Sequence, residues 1–414
     1  MSRTDVVIIG AGQAGLVMSR CLTARGIAHI VLERGRIAER WHSQRWNSLH
    51  LLTTAAMSML PGLVHVGDPG AFMPASTFAA YLASYAEAVA APIISGVDVI
   101  SVEAAAGGYR VHTSAGDWRT RAIVVATGAC DTPYRPAAAR RLDASIMQID
   151  AADYRAPAQL PDGGVLVVGA SSTGVQLAQE IHASGRPVTL AVGDHTRAPR
   201  RYRGDDIFAR MELAGILDEP PHMGANLEQV RRQPSLQLIG RPDHSELNLE
   251  VLSRGGVQLA GRLADMDGTR VILGDNLARS AGASHARMVR MLDRIDQAIA
   301  AQGLDAPASD PDARAPFLPG RDALTLDLHR AGIRTVMWAA GYARRYPWLK
   351  LPVLDDRGEI VQRGGVTGAP GVFTMGLVFM RRRRSPFIDG CALDAEDLAP
   401  MIAAHLDLAA RQVA

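Results

Sequence analysis

Cysteine is scarce in this 414-residue chain: Cys21, Cys130 and Cys391 stand far apart, and no C-x-x-C occurs. That spacing excludes a redox dithiol, a zinc ribbon and a disulfide framework. The 12 histidines show no H-E-x-x-H or comparable ligand spacing, so no metal centre is expected. Lys350 is the sole lysine, which removes Schiff-base and P-loop chemistry. A large charge of one sign is also missing. The formal balance is +2, so no bulk field draws the chain to nucleic acid or an anionic membrane. The apolar stretch 6–15 is too short and too glycine-rich for a signal peptide or a membrane span, and a cytoplasmic location is expected. A protein without metal, reactive thiol or catalytic lysine often takes its chemistry from a cofactor.

What is present is a repeated pattern. The length exceeds what one core usually spans, so two domains are expected. Hydrophobic residues at 48% and charged residues at 21% are ordinary for a globular α/β protein. Val6-Val7-Ile8-Ile9 is a β-branched run ending in Gly10. Leu16, Val17, Cys21 and Leu22 follow at helical spacing as far as Gly26, and 28–32 reads as a second strand. The same order returns at 165–168, Gly169, a helix to about Ser184, Gly185 and a strand over 188–192. The expected fold is α/β, with two Rossmann-like dinucleotide-binding domains. Residues 123–128 read as a further buried strand with a glycine turn, and 335–342 as its counterpart. A last strand over 371–375 runs into Gly376, and 393–406 is a terminal helix. Residues 305–319 look like a connector between domains, and 288–301 like an amphipathic surface helix.

Gly10-Ala11-Gly12-Gln13-Ala14-Gly15 fits G-x-G-x-x-G between a strand and a helix. The first glycine permits the turn, the second lets backbone approach a diphosphate, and the third lets helix and strand pack. The helix start, at Gln13 and Ala14, offers free N–H groups to phosphate. Glu33, at the end of the next strand, is placed to accept a bond from a ribose hydroxyl. The second unit reads Gly169-Ala170-Ser171-Ser172-Thr173-Gly174, with Ser171 for the middle glycine. Thr173 breaks the G-x-S-x-G pattern, which excludes a hydrolase elbow. Asp194 suits the 2′-hydroxyl of NADH. Arg197, Arg200, Arg201 and Arg203 follow at once, and guanidinium groups suit a 2′-phosphate. NADPH is the expected partner of this unit, with NADH possible.

The chain resembles the bacterial flavin-containing monooxygenase-like family, in the class B flavoprotein monooxygenase superfamily. The resemblance is carried by Gly10 to Gly15, by the segment Trp41-His42-Ser43-Gln44-Arg45-Trp46-Asn47-Ser48-Leu49-His50, and by Leu60-Pro61-Gly62. It continues through Ala126-Thr127-Gly128, residues 165–174, the strand end at 338–342 and residues 381–390. These motifs span nearly the whole chain in the family's order. The resemblance implies FAD in a discontinuous domain of 1–155 and 320–414, and NAD(P)H in an inserted domain of 156–319. It implies Trp41 against the flavin, with Arg45, His50, Thr53 and Phe387 beside it. Arg34, Val99, Gly341 and Gly376 complete the expected cofactor contacts.

Two features depart from the family. Oxygen-inserting members carry F-x-G-x-x-x-H before the second glycine motif; here 144–150 reads Ala-Ser-Ile-Met-Gln-Ile-Asp, and Ala340 stands where threonine is usual. The expected reaction is reduction of FAD by NAD(P)H, then oxygenation of a small molecule at nitrogen, sulfur or a carbonyl through a C4a-hydroperoxyflavin. The expected partners are that small molecule and molecular oxygen; no acid or base can be assigned, and self-association into a homodimer is left open. One alternative is an NAD(P)H:acceptor oxidoreductase without oxygen insertion. Another is a redox-responsive FAD-binding protein with negligible turnover. The absence of a close cysteine pair disfavours a disulfide reductase. Arg381-Arg382-Arg383-Arg384 reads either as a solvated loop or as a cationic group beside anionic flavin, cofactor phosphate or an acidic substrate.

Overall fold

The computed structural model describes residues 1–64, 66–221, 236–309, 311–320 and 324–413. The β-branched run lies in strand Ser2–Ile9, where Val6, Val7 and Ile8 are fully buried. This strand pairs in parallel with His29–Glu33 on one side and Gly116–Val125 on the other. Ile9 stands level with both Leu32 and Val125, so the three strands end together. Strands Ile93–Ser95 and Val372–Thr374 extend the sheet in parallel on either flank. Helix Gln13–Thr23 packs on one face with the terminal helix Ile388–Val413, burying Leu16, Met18, Leu22, Leu398 and Ile402. The opposite face buries Val7, Ile9, Ile123 and Val125 under Val102, Val111 and Leu349. A parallel strand buried on both faces needs apolar residues at every position, which is what the run supplies.

A second, fully parallel sheet of five strands has the order Gln258–Ala260, Val188–Ala191, Gly164–Val168, Ile333–Trp338 and Met147–Asp150 among the described residues. Two of these strands fall outside the boundaries expected from sequence. Strands 147–150 and 333–338 lie within the stretches 1–155 and 320–414 assigned to the first domain, yet they pair with the second sheet. Partner choice in a parallel sheet is a long-range event, and Trp338 is level with Val168 and Asp150. Nothing local in either strand announces this. The counterpart relation between 123–128 and 335–342 does appear in the geometry, since each strand flanks a glycine-turn strand.

The expected surface helix is longer than its amphipathic stretch and spans Leu277–Ala301. With helix Ile207–Leu213 it forms a separate lobe, whose core contains Phe208, Met211, Ile216, Met288, Leu292 and Ile295. The connector has one short helical turn, Pro311–Arg314. Between the sheets, Trp46 and Leu49 pack with Val175 and Leu177 of helix Ser172–Ala183. The Asn47 N–H donates to the Arg155 carbonyl at 2.9 Å. No helix among the described residues is long and apolar enough to cross a membrane.

Candidate cofactor and active site

The three glycines of the first turn divide their labour. Gly10 has φ +108°, and a Cβ there would lie 2.6 Å from the Ala126 carbonyl oxygen; one on Gly15 would lie 1.9 Å from that of Gly10. Both positions exist to close the turn. A Cβ on Gly12 meets nothing within 4 Å, and Gly12 lines a cavity of about 1380 Å³. The open space lies at the start of helix Gln13–Thr23, where unsatisfied N–H groups and the positive end of the helix dipole favour a diphosphate. The Glu33 carboxylate accepts from Ala11 N–H at 2.8 Å and Gly35 N–H at 2.9 Å. Each oxygen keeps a further lone pair for a ribose hydroxyl. Arg34, Val99, Ala126, Thr127 and Gly128 line the same space. Gly376, at φ +74°, lies so near the helix start that its Cβ would be 3.1 Å from that of Ala14. These residues fit the diphosphate and ribose of FAD.

The cavity continues past the Trp41 segment. Trp41 meets Phe78 edge-on at 4.8 Å, and the Arg45 guanidinium lies 5.0 Å from the Trp41 ring centroid. Thr53 lines the wall, its hydroxyl engaged with Ser58 at 2.7 Å. Phe387 also lines it, edge-on to Phe208 at 5.3 Å. The farther wall is supplied by the lobe through Phe208, Met211, Ile216 and Met291. At about 1380 Å³ the space exceeds the roughly 300–1,000 Å³ usual for one small molecule.

The second turn is built like the first. A Cβ on Gly169, at φ +111°, would lie 2.3 Å from the Ala339 carbonyl oxygen, and one on Gly174 would lie 1.8 Å from that of Gly169.

With both turns in place, the chain can be set against known proteins. Residues 7–206 match the family model described as pyridine nucleotide-disulphide oxidoreductase. An oxidoreductase of Geobacillus kaustophilus named CzcO-like is 30% identical over 404 residues, covering 97% of this chain and 99% of that one. The chain belongs to the CzcO-like oxidoreductase family. A solved flavin-containing monooxygenase of Stenotrophomonas maltophilia has the same fold, with a TM-score of 0.68 at 19% identity, covering 98% of this chain and 99% of that one. A bacillithiol disulfide reductase of Staphylococcus aureus aligns with a TM-score of 0.59 at 12% identity, over 98% and 99% of the two chains.

Several expected site residues of this CzcO-like protein sit elsewhere. His50 is off the cavity: its Nδ1 pairs with the Ser48 carbonyl at 3.0 Å and its backbone bridges to Pro74. Gly341 is exposed at φ +96° and does not line the cavity. Ser171, Ser172 and Thr173 do not line it either. The Ser172 hydroxyl is buried against Gln176 at 3.0 Å, and the Gln237 amide donates to the Ala170 carbonyl at 2.6 Å. This oxidoreductase's second unit reaches the cavity instead through Asp194 and Thr196, just past strand Val188–Ala191.

The arginines expected to read a 2′-phosphate are engaged. Arg200 is 1% exposed and pairs with Asp206 at 2.5 Å. Burial lowers its pKa below the usual guanidinium value, and the Asp206 carboxylate opposes that shift. Arg197 donates to the Ala315 carbonyl at 2.8 Å, Arg201 donates to the Gly204 carbonyl, and none of the three lines the cavity. Burial with Asp206 claims Arg200, and backbone carbonyls engage Arg197 and Arg201; sequence adjacency to the strand end could not show it.

The four consecutive arginines are not a solvated loop. Arg382 pairs with Asp394 and Asp397, and Arg383 with Glu219. Arg384, only 4% exposed, pairs with Glu212 at 2.7 Å, Asp218 at 3.1 Å and Asp389 at 3.0 Å. They clamp the lobe to the terminal helix; Arg383 also lines the cavity. Asp150, the last residue of the 144–150 segment, is held by Arg135 through two bonds of 2.8 Å. Sequence reasoning missed Gln44, Trp348 and the whole lobe wall. The usable signal was Arg287, Arg290 and Arg294 at one-face spacing within a helix that reads as plain surface.

Proposed function

We propose that this protein is an FAD-dependent, NAD(P)H-consuming monooxygenase acting on a small molecule. The supporting observation is the continuity of one cavity from the open face of Gly12 to the apolar side chains Phe208, Met211, Ile216, Phe379 and Phe387. When bound, FAD takes up hydride from the reduced nicotinamide and passes electrons to oxygen; the chain supplies the rest. Gly12, Gln13 and Ala14 hold the diphosphate, Glu33 the ribose, and Arg45 over Trp41 places a cation in the cavity. The aromatic wall excludes water, which limits loss of reducing equivalents as peroxide.

Oxygen consumption and hydrogen peroxide release per NADPH test the reading on the reconstituted protein. A substrate that lowers peroxide release while an oxygenated product accumulates supports it. One peroxide per NADPH with every amine, sulfide and ketone tried would assign an NAD(P)H:acceptor oxidoreductase instead. The Asp150–Arg135 pair in place of the histidine favours that second reading.

A further inference from the structure

Helix Leu277–Ala301 carries Arg287, Arg290 and Arg294 at spacings of three and four, which places them on one face. That face lines the cavity together with Asp194 and Thr196. Arg294 is committed to Glu219 at 2.5 Å. Arg287 donates through Nη2 to the His195 carbonyl, which ties the helix to the chain just past strand Val188–Ala191. The same Arg287 keeps a buried Nε without a hydrogen-bond partner among the described residues. Arg290 is exposed and has no ion pair among the described residues. Asp194 is likewise exposed.

In a doubly wound nucleotide-binding unit, groups past the second strand meet the adenosine ribose: an acid accepts from a 2′-hydroxyl, and an arginine takes a 2′-phosphate. The arginines next to this strand end are occupied elsewhere. We propose that Arg287 and Arg290, delivered by a helix far along the chain, form the site that reads the 2′-phosphate of NADPH, with Asp194 as the acceptor for the 2′-hydroxyl of NADH. The inference rests on the nicotinamide reading above. A guanidinium presents paired donors that match phosphate oxygens. The His195 carbonyl fixes the Arg287 Nη2, and Arg287 and Arg290 both border the cavity. Two cations against one carboxylate favour the phosphorylated cofactor.

The probes are 2′,5′-ADP and 5′-ADP, titrated by calorimetry into the FAD-loaded protein. The intact chain is expected to bind 2′,5′-ADP on the order of tenfold more tightly. Arg290→Ala removes most of that preference and leaves 5′-ADP binding unchanged, while Arg290→Lys retains part of it. Asp194→Asn strengthens 2′,5′-ADP binding. In anaerobic flavin reduction, Arg290→Ala raises the NADPH concentration needed for half-maximal rate and spares NADH. Equal weakening of both probes by Arg290→Ala, or no weakening of either, overturns the assignment. A preference that survives Arg290→Ala and Arg287→Ala together does the same. If the intact chain binds neither probe and neither NADH nor NADPH bleaches the flavin, the nicotinamide reading itself fails and takes this site with it.

Discussion

Arg200 and Asp206 form a buried ion pair at 2.5 Å, enclosed by the rings of Phe72 and Phe208, with Arg200 also donating to the Leu52 carbonyl at 2.9 Å. Asp206 at the same time accepts from Phe208 N–H at 2.9 Å, capping helix Ile207–Leu213. The pair therefore joins the lobe to the Trp41–Thr53 side of the cavity.

Arg200→Ala leaves that carboxylate uncompensated in a dry site, a loss of about 3–5 kcal/mol. Urea unfolding should show it. The ratio of NADPH to NADH efficiency in the surviving folded protein should stay unchanged. A variant that shifts the ratio while keeping full stability would restore Arg200 as a cofactor contact.

Gly12 and Gly10 predict opposite phenotypes. A Cβ on Gly12 meets nothing within 4 Å, so the Gly12→Val apoprotein should melt within a few degrees of the parent but stay colourless with FAD. Gly10→Ala strains a left-handed residue against the Ala126 carbonyl, costing about 1–3 kcal/mol before any cofactor is added. Thermal melts with and without FAD separate the two. A yellow Gly12→Val protein would refute the diphosphate site.

Arg384→Ala opens the clamp between the lobe and the terminal helix. The half-buried Asp389 loses its cation, and stability should fall by about 1–3 kcal/mol. Hydrogen exchange should quicken in Ile207–Leu213 and Leu277–Ala301 well before it does in Ser2–Ile9. Uniform quickening across the chain would argue against a separable lobe.

Asp394 makes stability depend on pH. It is fully buried, one of its oxygens lacks a hydrogen-bond partner, and burial pushes its carboxyl up to about 6 despite Arg382 at 3.2 Å. The folded form thus holds its proton more tightly than the unfolded chain, whose value is about 3.9. Its contribution is complete below about pH 4 and is lost as pH rises to about 6, up to roughly 3 kcal/mol. Asp394→Asn carries no such proton, so its stability relative to the parent should improve from about pH 4 to about pH 7 and then level off. A difference that stays flat across that range would show that burial does not control this carboxyl.

The two strand–glycine–helix units were readable because their physics is local. A β-branched run, a glycine where φ must be positive, and a helix with apolar residues at i and i+4 are all written within about twenty residues. Glu33 was legible for the same reason. Arg197, Arg200 and Arg201 misled because proximity in sequence to a strand end says nothing about which neighbours fold over it.

The sequence by itself determined the two glycine turns, the α/β class and the first dinucleotide cradle, because each depends on backbone conformations that only certain residues adopt. Tertiary structure alone decided which sheet received strands 147–150 and 333–338, which arginines were consumed in ion pairs and which faced the cavity. Those outcomes depend on long-range pairing and on desolvation, and both are properties of the packed chain rather than of any segment in it.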